Sequence, residues 1–155
     1  MKNNKIKKLG TILKIFLKLC LFVGILLLLT LYNIVNSLGL KFDLFILLIY
    51  PCGICFLLLI YQFIGLFTFL EKNNPFSEAT TTRLNNSMIL SFVISLLILV
   101  ALLLTIFTYS YYTLQFKVSL AFIMILFFGV GIALYILKAL FKIATNYKEE
   151  NELTI

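Results

Sequence analysis

Cys52-Gly53-Ile54-Cys55 is the first arrangement in this chain that could carry chemistry. In a soluble protein a C-x-x-C suggests redox exchange or metal binding. A zinc site needs four ligands, and this sequence has no His and only one further Cys, Cys20. Two Cys at i, i+3 of a helix share a face but rarely meet disulfide geometry. The pair follows Pro51 inside a long apolar run, so the bland expectation is small, polarizable packing residues beside a proline. Serine chemistry fares no better. Gln62, Ser91, Ser95, Thr105 and Ser119 lie in apolar stretches without a Lys or His to activate a hydroxyl. Such residues commonly hold membrane helices together. The sequence therefore predicts no catalytic residue, no metal and no cofactor, although an oligomeric pore lined by Ser and Thr stays open.

The elements that would position these residues are set by four uncharged runs, residues 19–35, 44–70, 88–112 and 118–137. A bilayer core of about 30 Å is crossed by roughly 20 apolar helical residues. The expected fold is an all-α integral membrane four-helix bundle of two antiparallel hairpins, a single membrane domain over residues 1–155. The chain is 63% hydrophobic. A soluble protein of this size could not bury four such helices.

Charge gives the orientation. Lys2, Lys5, Lys7, Lys8, Lys14 and Lys18 precede the first run, Lys72 and Arg83 lie in the middle connection, and Lys138, Lys142 and Lys148 follow the fourth run. Only Lys41 and Lys117 fall on the other side. The positive-inside rule then puts both termini of a multi-pass membrane protein in the cytoplasm. The net charge of +7 is thus topological and lipid-facing, and direct nucleic-acid binding is not expected. The basic start resembles a signal peptide, but no Ala precedes Ala79 and Cys20 comes before its apolar run, so the segment is read as a retained span. Ile6, Leu9, Leu13 and Leu17 are spaced for an amphipathic helix on the inner leaflet, or for a simple basic flank.

The outer connections, 36–43 and 113–117, are short and leave almost no protein outside. The inner connection, 71–87, is the informative one. Pro75 ends the second helix, and Ser77 is a good N-cap with Glu78 in the first turn, where an acid suits the helix dipole. Phe76 would sit just before the cap, able to anchor to the membrane surface or a neighbouring helix. Pro75, Phe76, Ser77, Glu78 and Arg83 are therefore candidate partner-binding residues. In the tail, Leu137, Leu140, Phe141 and Ala144 share one face, and Lys138, Lys142 and Thr145 another. Glu149, Glu150 and Glu152 make the end acidic and complete the candidate set; a frayed, solvated terminus is the simpler reading. Ser91 with Ser95, and Gly129 with Ala133, suit close helix approach, within one bundle by preference or at a homodimer face.

Asn74-Pro75-Phe76-Ser77-Glu78 and the closing Glu149-Glu150-Asn151-Glu152-Leu153-Thr154-Ile155 resemble the DUF2975 family of small bacterial four-span membrane proteins, over essentially the whole chain. The resemblance carries no biochemical activity. It implies a context, because members are often encoded beside a small helix-turn-helix regulator. The expected function is a non-enzymatic membrane protein that binds or antagonises such a regulator. The alternatives are an immunity-type protein guarding the membrane against a toxic peptide, acting in the bilayer or at Lys41–Asp43, and a small channel or transporter subunit.

Overall fold

The computed structural model describes residues 2–37, 44–71, 77–107 and 113–153. They form four helices: α1 (Lys2–Ser37), α2 (Leu44–Glu71), α3 (Glu78–Phe107) and α4 (Leu114–Leu153). All four contain stretches long and apolar enough to cross a membrane. The expected inner-leaflet helix is not a separate element, since α1 runs unbroken from the basic stretch into the apolar one. Pro51 lies inside α2, which continues through it. Lys41, Phe42, Asp43, Lys72, Pro75 and Phe76 lie outside the described residues.

Consecutive helices pack against each other in chain order, α1 on α2, α2 on α3 and α3 on α4. No other pair lies backbone to backbone among the described residues. The register is antiparallel throughout. Gly24 faces Leu57 and Gly53 faces Leu28, Arg83 reaches Gln62, and Ser95 and Asn85 meet Met124 and Lys138. The start of α1, the end of α2, the start of α3 and the end of α4 consequently share one end of the molecule, called here the terminal end. α3 is the central helix: 33% of its most apolar window is buried, against none of that of α1. Near the opposite end, Leu31, Leu48, Ile49, Phe116 and Leu120 gather around Ala101.

The distribution of polarity is that of a membrane protein. Large apolar side chains face outward, Leu29 at 73% and Phe22 at 62% exposure, far beyond what water tolerates in a contiguous surface. The buried positions of α3 instead include Thr80, Ser87, Ser91, Ser95 and Thr105. Small polar residues let membrane helices approach and give them hydrogen bonds to share. Ser95 Oγ donates across the α3–α4 seam to the Met124 carbonyl at 3.1 Å. Ser91 donates within α3 to the Ser87 carbonyl at 2.9 Å. The chain is a multi-pass membrane protein.

Candidate functional site

The site is built around the first two turns of α3. Ser77 caps the helix: the Thr80 amide donates to Ser77 Oγ at 3.3 Å and to the Ser77 carbonyl at 3.0 Å. The Thr81 amide reaches the same carbonyl at 3.2 Å. A side-chain oxygen at this position satisfies donors that the helix start leaves open. Glu78 stands exposed in the first turn. Beyond the cap, two cations tie α3 to its neighbours, one on each flank.

On the α2 flank, Arg83 donates from Nη1 to Gln62 Oε1 at 3.3 Å. Its guanidinium also lies 5.8 Å from the ring centres of both Tyr61 and Phe69, within the range of cation–π attraction. Gly65, midway between the two rings in the sequence, makes this possible, because a Cβ there would collide with the guanidinium. Tyr61, Gln62, Gly65 and Phe69 share one face of α2 by helical spacing, and together they form a notch for one planar cation. Arg83 stands near the start of α3 and is folded back onto the end of α2.

On the α4 flank, Lys138 Nζ donates to Asn85 Oδ1 at 2.8 Å. Glu78, Thr81, Thr82, Lys138, Lys142, Thr145 and Asn146 line a polar cleft of about 330 Å³ beside this contact. The hydroxyls of Thr81, Thr82 and Thr145 donate to carbonyls of their own helices, Ser77, Glu78 and Phe141. Each therefore presents oxygen lone pairs to the cleft, whereas the two lysines present donors. The cleft can hold a polar or charged group by hydrogen bonds, and it offers no nucleophile paired with a base. No group of three His, Cys, Asp or Glu that could hold a metal occurs among the described residues.

The candidate residues thus separate. Glu78 lines the cleft and Ser77 caps the helix, whereas Arg83 is turned onto α2. Pro75 and Phe76 lie outside the described residues. Glu149, Glu150 and Glu152 belong to α4, a continuous helix to Leu153; Glu150 is exposed. The two expected faces of the tail do not divide by burial. Thr145 is buried and Lys138, Phe141 and Ala144 are half-buried, while Lys142, Leu137 and Leu140 are exposed. Small-residue spacing needs a correction as well. Ser91 and Ser95 are buried within α3, but Gly129 and Ala133 are exposed and a Cβ at Gly129 would meet nothing. Gly131 is the glycine that packs, against the Phe92 ring. Cys20, Cys52 and Cys55 are all free.

Sequence reasoning missed the Gln62–Arg83 and Asn85–Lys138 contacts. The signal for the first was present in the lone amide and small residue of an apolar helix flanked by two aromatics. Comparison with known proteins adds a family. No curated protein and no solved structure matches the chain. A family model described as "Protein of unknown function (DUF2975)" matches residues 4–155. That match covers essentially the whole four-helix chain, and the protein belongs to the DUF2975 family.

Proposed function

We propose that this chain is a non-enzymatic regulatory protein of the bacterial cytoplasmic membrane. Its terminal end faces the cytoplasm and holds a small helix-turn-helix transcription regulator. The observation that supports this most is a juxtaposition: the start of α3 and the last part of α4 meet on one polar cleft. Of the two segments that carry the sequence resemblance, the first reaches the cleft at Glu78 and the second begins just beyond it on α4. Glu149 and Glu150 follow Asn146, which lines the cleft, by about one helical turn.

Physically, a helix-turn-helix protein is basic where it meets DNA. The acidic end of α4 competes with phosphate for that surface, and the cleft receives a polar side chain of the docked protein. Such binding is screened by salt, with a Debye length of about 8 Å at physiological ionic strength. A regulator held this way is kept from its operator without any chemical step.

The test compares full-length protein with a chain ending at Lys148, by crosslinking in native membranes and by operator binding of the recovered regulator. The proposal expects a small helix-turn-helix protein with the full-length form only, and lower operator occupancy when that form is present. It fails if loss of residues 149–155 leaves both recovery and regulator activity unchanged.

A further inference from the structure

A second cavity lies away from the terminal end and has a different character. Its volume is about 430 Å³, within the roughly 300–1,000 Å³ range of small-molecule sites. Its floor is α3, at Ile94, Ile98 and Ala101, and its walls are α2 and α4. The lining holds no hydrogen-bonding side chain beyond the weakly polar Cys52 thiol. Phe56 and Ile123 are still 44% and 40% exposed, so the cavity opens sideways to the surroundings of the helices.

Toward the middle of the helices, Phe56 and Phe127 are the last lining residues on α2 and α4, and their rings meet edge to face at 6.1 Å. From Leu48 to Phe56 the wall measures about 12 Å at 1.5 Å per residue. That is most of the roughly 15 Å of hydrocarbon in one leaflet. The wall is only about two helical turns long, a short seam for the helix of a second copy, whereas it matches one acyl chain within one leaflet. At the mouth, Lys117 stands one turn before Leu120, a wall residue, and next to Phe116, which packs on Ala101.

We infer that this slot takes one acyl chain of an anionic phospholipid, whose phosphate pairs with Lys117. The chain is excluded from water by α2, α3 and α4, and the headgroup charge selects among lipids that offer the same hydrocarbon. The site lies at the opposite end from the proposed regulator contact and is independent of it.

Full-length protein in nanodiscs, with phosphatidylglycerol carrying a diazirine midway along one acyl chain, tests the inference. Phosphatidylcholine with the same chain is the control. Photolabelling is expected within the 48–56 and 120–127 stretches, about fivefold stronger for phosphatidylglycerol, the ratio expected from one basic residue near anionic charge. Lys117→Gln should bring the two lipids level while the labelled positions persist. Ala101→Phe fills the slot and should abolish labelling there, with Leu120→Phe at the rim as a second variant in case the first does not fold. Even labelling over exposed α1 positions such as Phe22 and Leu29 would overturn the site. Equal labelling by both lipids in the unmodified protein would overturn the headgroup pairing. Efficient Cys52-to-Cys52 crosslinking between copies, with loss of lipid labelling, would give the slot to a second protomer instead.

Discussion

Arg83 and Lys138 form the same kind of bond on opposite flanks of α3 and leave very different surroundings behind. Each is a cation donating to a neutral amide on the adjacent helix, Arg83 to Gln62 at 3.3 Å and Lys138 to Asn85 at 2.8 Å. Arg83 is packed onto α2, near two aromatic rings and against Gly65, where a Cβ would collide with it. Lys138 borders an open cleft with a second lysine, a glutamate and three threonines. Geometry explains the division. A guanidinium is flat, weakly hydrated and able to stack, so it seals a seam; an ammonium is compact and strongly hydrated, so it stays where polar space remains. The partners of a cation, more than its charge, decide whether it holds the fold or faces a ligand.

The largest expected effect tests the enclosed side. Gly65→Leu places a branched side chain where the guanidinium lies. Overfilling a packed site destabilises by roughly 1–3 kcal/mol, and here it also evicts a cation from its rings and amide. The expected outcome is a loss near the upper end of that range, read as thermal unfolding of the full-length protein in a mild detergent. An unchanged melting temperature would mean that Arg83 does not occupy the notch.

Arg83→Lys should follow with a loss of about 1 kcal/mol, because charge is kept but the planar stacking is not. A cycle pairing Arg83→Leu with Gln62→Leu separates the bond from the rings. Interhelical hydrogen bonds in membranes average roughly 0.6 kcal/mol, so a coupling of that size is expected, with the remaining loss due to Tyr61 and Phe69. Lys138→Gln should be milder still, at about half a kcal/mol or less, since its amine borders an open polar cleft. If the Lys138 change were the more damaging of the two, the contrast between a sealed seam and an open cleft would be reversed.

How much of this was readable in advance depends on the range of the interactions. The four helices follow from uncharged runs, and the start of α3 follows from Ser77 and Glu78, because capping involves residues only a few positions apart. Arg83 and Gln62 are 21 positions apart, and Lys138 and Asn85 are 53 apart. No local pattern fixes such pairings; they depend on which face of each helix turns inward. The tail shows the difficulty. Its two faces are plain in the sequence, yet burial cuts across them: Thr145 is buried and Lys142 exposed on the polar face, Phe141 half-buried and Leu140 exposed on the apolar one. On α4, Gly129 and Ala133 match the close-packing pattern but lie on the exposed side, so they do not pack within this bundle.

That last point gives the smallest and cleanest test of the α3–α4 flank. Helical glycine is less favourable than alanine by about 0.8–1.0 kcal/mol in an unobstructed position. Gly129→Ala meets open space and should raise the stability of the full-length protein by a few tenths of a kcal/mol or more, toward that limit. Gly131→Ala gains the same backbone preference but sets a Cβ 2.8 Å from the Phe92 ring, which is itself held edge-on by Phe128 at 5.6 Å between centroids. The ring cannot retreat without disturbing that pair, so the gain should be cancelled and the melting temperature should fall below that of Gly129→Ala. Two alanines, two residues apart on one helix, then differ only in which side they face. If they behaved alike, Gly131 would not be the close-approach point of α3 and α4, and the inward face of α4 would have to be redrawn around Gly129 and Ala133.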